Sequence, residues 1–179
     1  MGNLRAGRLP VFCLMGMLLA GAGGEAGDPT PTPEIVAFDH FVRVSSPICI
    51  EQAAVRCVDA GWQYADTDRN GGLSLAELGA TQNALRAWTD WRYDGLTRQE
   101  RAGIALGLWL VNAVGLERLM ASYDVDGDDL ISRTELLADV RLDQRPLGEV
   151  LLDAEAVDRK AVARRLGSMA PLLDGVFQE

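Results

Sequence analysis

Two twelve-residue stretches of this 179-residue chain concentrate carboxylates at a regular spacing. The first is Asp66-Thr67-Asp68-Arg69-Asn70-Gly71-Gly72-Leu73-Ser74-Leu75-Ala76-Glu77, with oxygen-bearing side chains at positions one, three, five, nine and twelve and glycine at six. Alternate oxygens along a tight turn, closed by a carboxylate, suit a hard divalent cation. Calcium takes about six to eight oxygens at about 2.3–2.6 Å, so a short loop must curl around it and present alternate side chains and one carbonyl. Gly71 provides the sharp bend, which needs positive φ.

The second stretch, Asp124-Val125-Asp126-Gly127-Asp128-Asp129-Leu130-Ile131-Ser132-Arg133-Thr134-Glu135, repeats the spacing but places Asp129 where the first has glycine. Aspartate enters the left-handed region more readily than most residues, at a cost of about 1 kcal/mol. In return, four carboxylates fall on the spaced positions, against three in the first stretch. A solvated turn accounts for one acidic, glycine-containing stretch far more easily than for two with the same spacing.

Both stretches resemble the calcium loop of the EF-hand family. The resemblance implies two Ca²⁺ sites. In the first, Asp66, Asp68 and Asn70 would coordinate through side chains, Gly72 through its carbonyl, Ser74 directly or through water, and Glu77 through both carboxylate oxygens. In the second, Asp124, Asp126, Asp128, the Leu130 carbonyl, Ser132 and Glu135 hold the same positions. Leu73, at position eight, would make the short β contact between paired loops. Dockerin-like modules are a weaker likeness, because they usually lack a full entering helix and often end the loop with aspartate.

An EF-hand needs a helix entering and a helix leaving each loop. Val58, Trp62 and Ala65 form an apolar stripe before the first, and Leu116, Leu119, Met120 and Tyr123 before the second. Leu75 and Leu78 open the first exit helix, which continues through Leu85 and Trp88 towards Trp91; Leu136, Leu137 and Val140 carry the second. The Trp88 and Trp91 pair is expected in the core rather than on a partner surface.

The loops start 58 residues apart, which leaves room for more than one linking helix and puts ordinary face-to-face pairing in question. Thr97-Arg98-Gln99-Glu100 matches a capping box, so a helix opens at Arg98. Its continuation, Ala102 to Leu116, is uncharged, too short for a membrane span and expected to be buried. It is read as an extra helix, or as one long glycine-softened helix leading into the second loop. Beyond Arg145-Pro146, helical periodicity resumes around Val157, Val162 and Leu166, with Gly167 as C-cap, and Pro171 opens a last segment.

Residues 1–26 read as a secretory signal peptide: Arg5 and Arg8, a short apolar run from Val11 to Ala20, then small residues. Asp28-Pro29-Thr30-Pro31-Thr32-Pro33 reads as an extended spacer, and Ile35 to Val44 fits either a strand or a helix. In an exported protein Cys49 and Cys57 could be bridged. Ser46-Pro47 looks like a helix start, and two cysteines eight residues apart in one helix lie about 12 Å apart, beyond the roughly 7 Å that a disulfide allows. Bridged and unbridged forms both stay open.

The expected fold is all-α: paired EF-hand-like helix-loop-helix units with an extra inter-hand helix and a C-terminal helical segment. The expected organisation is the signal over 1–26, a Pro/Thr-rich linker and N-terminal segment over 27–45, a two-EF-hand domain over 46–145 and a C-terminal segment over 146–179. A formal net charge of −9 disfavours nucleic acid and anionic membrane surfaces as partners. No stable membrane insertion is expected after signal cleavage. His40 is the sole histidine and has no neighbouring catalytic cluster, so the protein is not read as an enzyme. The expectation is a secreted or periplasmic calcium-binding protein with a structural or buffering role. The alternatives are a sensor or adhesion module exposing an apolar groove, and a hydrolase stabilised by calcium.

Overall fold

Thr32-Pro33-Glu34 starts the first helix, because the Thr32 hydroxyl accepts the Ile35 amide at 3.5 Å and proline at the first helical position lacks the N–H that would otherwise go unpaired. The computed structural model describes residues 30–167. The signal segment, Cys13 and the segment opened by Pro171 lie outside them. The described part is mainly helical: α1 (Pro33–Glu51), α2 (Ala54–Ala65), α3 (Leu75–Trp91), α4 (Arg98–Val114), α5 (Leu116–Tyr123), α6 (Arg133–Leu136), α7 (Leu147–Leu152) and α8 (Arg159–Leu166), with strands β1 (Gly72–Ser74) and β2 (Leu130–Ser132).

In the N-terminal region one open reading is decided and one expectation is corrected. Ile35 to Val44 is helical, because Phe38 and Val42 are buried against Leu85 and Trp88 of α3, with the Trp88 Nε1 donating to the buried Asp39 carboxylate at 3.0 Å. Ser46-Pro47 starts no helix; Pro47 lies inside α1, which the Thr32-Pro33 pair has already begun. The disulfide is also decided. Helix α1 ends at Glu51, the chain turns through Gln52 and Ala53, and α2 begins at Ala54, so Cys49 and Cys57 stand in different helices with α-carbons 4.5 Å apart and are bonded.

Their bridge sits in a cluster with Ala54, Val58, Leu147, Val150 and Ala156, which seats α7 against α1 and α2. A second cluster, Trp62, Ala65, Leu73, Met120 and Ile131, lies between the two acidic loops and takes in Trp62 and Ala65 of one entering stripe and Met120, with Tyr123 against it, of the other. Trp88, at 2% exposure, is core as expected, with Trp91 partly buried beside it.

The long connection is an extra helix followed by a separate entering helix: α4 stops at Gly115, whose φ of 89° is unfavourable for other residues, and α5 leaves at 79° to it. Helix α4 is not the buried helix that its composition implies. One side packs through Ile104, Leu108, Leu110 and Val114, but Leu106 is 39% and Trp109 48% exposed. An apolar composition needs neighbours on every side to be buried, and the described elements cover only one flank. Among the described residues, no single helix is long and apolar enough to cross a membrane.

The second exit helix is also corrected. Helix α6 ends at Leu136, one turn after it begins, and the chain swings away so that Val140 bridges Val157 and the Arg141 amide donates to the Ala156 carbonyl at 2.8 Å. These non-local bonds, rather than further helix, satisfy that backbone.

Candidate metal centre

Each acidic loop is set by the helix that follows it. Ser74 caps α3, accepting from the Glu77 amide at 3.3 Å, while Glu77 Oε2 accepts from the Ser74 amide at 3.0 Å and hydroxyl at 2.8 Å. Ser132 and Glu135 repeat this reciprocal cap on α6, at 3.2, 2.8 and 2.7 Å. Positions nine and twelve of each loop are therefore locked by the first helical turn. Glu77 Oε1 reaches back across its loop to the Thr67 amide at 2.8 Å and hydroxyl at 3.0 Å, and Glu135 Oε1 reaches the Val125 amide at 2.7 Å.

The opening aspartates point into their turns. Asp66 Oδ1 accepts from the Asn70 amide and Oδ2 from the Gly71 amide, both at 3.1 Å. Asp124 Oδ1 accepts from Gly127 at 2.7 Å and Asp128 at 3.2 Å, and its Oδ2 from Asp129 at 3.1 Å. Asp68 and Asn70 add short turns at 3.0 and 2.8 Å, and Asp128 accepts from the Leu130 amide at 2.9 Å. Backbone amides thus curl each loop around its own carboxylates.

Carboxylate oxygens of Asp66, Asp68 and Glu77 lie within 4.8 Å of one another, and so do those of Asp124, Asp126 and Asp128. Like charges about 4 Å apart repel by about 1 kcal/mol in water and about 4 kcal/mol near a protein surface. The Asp126 carboxyl is pushed above its ordinary value by desolvation and then by the charges of Asp128, Glu135 and Asp124. The closing glutamates go the other way. The Ser74 amide, with help from Thr67, lowers Glu77 to about 2, and the Ser132 and Val125 amides lower Glu135 to about 2. Carboxylate oxygens from three residues therefore converge in each loop, a donor set matched to a hard cation.

The loops meet back to back through β1 and β2, antiparallel, with Gly72 opposite Ser132, Leu73 opposite Ile131 and Ser74 opposite Leu130. The contact falls on Leu73, where it was expected. Glycine at 72 has its own cause: a Cβ there would lie 2.8 Å from the Leu130 Cβ, so only glycine lets the strands approach this closely.

Several contributors have no signature in the loop spacing. Arg69 has φ 60°, and the matching residue of the second loop is Gly127 at φ 76°. At position six the roles reverse, with Gly71 at φ 90° and Asp129 at φ 63°. Each loop thus carries one non-glycine residue in the left-handed region, and aligning the loops on each other would have exposed Arg69. Arg133 joins the two halves, pairing with Asp59 and lying 5.2 Å over the Trp62 ring. That pair spans most of the domain in sequence, and no local pattern announces it. His40 is exposed on α1.

Comparison of the chain with protein-family models, with characterised proteins and with solved structures finds no match.

Proposed function

We propose that this chain is a calcium-binding protein of EF-hand type, holding one Ca²⁺ in each acidic loop. What carries the reading is the repeated convergence of three carboxylates within 4.8 Å on loops that share one spacing and one cap. Asp66, Asp68, Asn70, Glu77 and the Gly72 carbonyl, with Ser74, would hold the first ion. Asp124, Asp126, Asp128, Glu135 and the Leu130 carbonyl, with Ser132, would hold the second. The ion supplies positive charge that relieves carboxylate repulsion and draws the loop oxygens together. A glutamate able to give two oxygens at position twelve favours calcium over the smaller magnesium, which resists a wide coordination shell.

A structural or buffering role is favoured over a sensor. The loops are already braced by reciprocal caps, the β1–β2 contact and the Arg133 bridge, so ion binding has little left to reorient. The Cys49–Cys57 disulfide supports a secreted or periplasmic setting. The carboxylates with the clearest arrangement are taken up as ligands, so the reading is of a binding protein and not an enzyme.

Titration calorimetry on chelator-treated protein tests this. Two sites are expected in the parent, with Glu77→Gln and Glu135→Gln each weakening its own site. No calcium uptake at about millimolar concentration, the weak end of the range for extracellular modules, defeats the reading. A large calcium-induced rise in hydrophobic-dye binding would replace the structural role with a sensor role.

A further inference from the structure

A groove of about 550 Å³ lies between α3 and α4, beside the turn that joins them. Its floor is apolar. Ile104 and Leu108 pack on the cluster that holds Phe38 and Trp88, while Ala102 and Ala105 are too short to fill the space. Its rim is cationic: Arg86 borders it from α3, and Arg98 and Arg101 from α4. Asp90 is the one acid among the described residues that line it, so three positive charges face one negative.

Neutral groups hold these guanidiniums in place. Arg86 Nη2 donates to the Asn112 Oδ1 at 3.3 Å, an oxygen that also accepts from Gln82 Nε2 at 3.1 Å and so ties α3 to α4. Arg101 Nη1 donates to the Tyr93 carbonyl at 2.7 Å, with its guanidinium 4.5 Å over the Tyr93 ring. Among the described residues no carboxylate pairs with Arg86, Arg98 or Arg101, whereas Arg43, Arg133, Arg145 and Arg165 each hold an aspartate. In a chain with 26 acidic and 17 basic side chains, positive charge is left uncompensated at this groove.

We propose that the α3–α4 groove binds a small organic anion with an apolar body, its acid group on the arginine rim and its body on Ile104 and Leu108. The volume falls within the roughly 300–1,000 Å³ of small-molecule sites, which combine apolar walls with a few polar groups. Guanidinium groups suit carboxylate and other oxyanion ends through paired N–H donors. Charge also selects a small occupant over an extended one. A formal net charge of −9 repels an acidic protein or an anionic membrane as a whole, but charges beyond about 8 Å are screened at physiological ionic strength, so a small anion meets mainly the local arginines.

Calorimetric titration of the full chain with octanoate, and with uncharged 1-octanol for comparison, tests the proposal. It is run in chelator, which prevents calcium soaps and keeps the outcome separate from that of the acidic loops. One-to-one octanoate binding is expected at about millimolar affinity or tighter, and at least about tenfold tighter than 1-octanol. Arg86→Gln/Arg98→Gln, two changes at exposed positions, is expected to weaken it about tenfold. Ala105→Trp, also at an exposed position, fills the groove while leaving every charge in place and is expected to abolish binding. Near-ultraviolet dichroism of the buried Trp62 and Trp88 reports that each variant is folded. No binding by the parent, equal affinity for 1-octanol, or unchanged affinity in either variant overturns the proposal. Co-sedimentation with phosphatidylglycerol vesicles in place of octanoate binding would make the partner a membrane surface and overturn it equally.

Discussion

Arg165 of α8 pairs with the buried carboxylate of Asp139, its Nη2 lying 3.3 Å from Oδ1. The same guanidinium donates to the Ser122 carbonyl and lies 4.1 Å over the Tyr123 ring. Ser122 and Tyr123 end the helix that enters the second acidic loop, and Asp139 follows the short helix that leaves it. One side chain therefore clasps the entering and leaving arms of that loop, where α6 alone is too short to do so. Its pKa is raised further by the Asp139 carboxylate.

Removing one member of this pair strands a buried charge. Arg165→Met is expected to lower stability by about 3 kcal/mol, the lower end of the range for breaking a buried ion pair. Arg165→Met/Asp139→Leu is expected to recover most of it, since both charges are then gone. Urea unfolding of the three proteins decides; a double variant no more stable than the single one would refute the clasp.

The left-handed residues predict a ranked gain. Arg69→Gly and Asp129→Gly both remove side-chain strain at positive φ, offset in part by the greater freedom of glycine in the unfolded chain. The expected net gain is about 0.5–1 kcal/mol, larger at Arg69 because aspartate tolerates the region better than arginine. Thermal unfolding in chelator measures both, and a loss at either position contradicts the assignment of strain.

Breaking the Cys49–Cys57 bond frees the unfolded chain in a short loop. Replacing both cysteines with serine is expected to cost about 2–3 kcal/mol by loop entropy, and somewhat more because the serine hydroxyls enter a buried apolar cluster. Denaturant midpoints of parent and variant give the comparison. A change below about 1 kcal/mol would mean that α1 and α2 are held without the bridge.

Arg145 predicts a pH dependence of defined sign. It bonds Asp143 at 2.6 Å and Asp153 at 2.7 Å, while its carbonyl accepts the Ala54 amide that opens α2. The Asp143 carboxyl is held below its ordinary value by Arg145, and that of Asp153 by the Glu155 amide and then by Arg145. Carboxyls lowered in the folded state bind protons more readily when unfolded, so their contribution is complete above about pH 4 and is lost as pH falls below it. In chelator, Arg145→Gln is expected to fall less in melting temperature between about pH 4 and pH 2 than the parent does. Parallel profiles would exclude the clamp.

Features written within a few residues of one another were legible in the sequence. Ser74 and Glu77, Thr97 and Glu100, and Ser132 and Glu135 each close a cap over three residues, and the structure forms all three. The carboxylates at alternate loop positions converge for the same reason, since the turn that gathers them is bonded within the loop itself. The mainly helical class follows from such local signals together with the apolar stripes of the entering helices.

Features that depend on distant partners were not legible. Ser46-Pro47 carries the local start signal and Thr32-Pro33 reads as the end of a spacer, yet the helix opens at Pro33, where the packing of Phe38 and Val42 on α3 holds it. Residue spacing left the disulfide open until the turn at Gln52 and Ala53 brought the cysteines together. Leu136, Leu137 and Val140 carry helical periodicity, yet the backbone leaves the helix to bond Val157 and Ala156. The apolar run of α4 specified a helix but not its burial. Sequence periodicity sets which faces a helix has, while burial is set by what the rest of the chain lays against them.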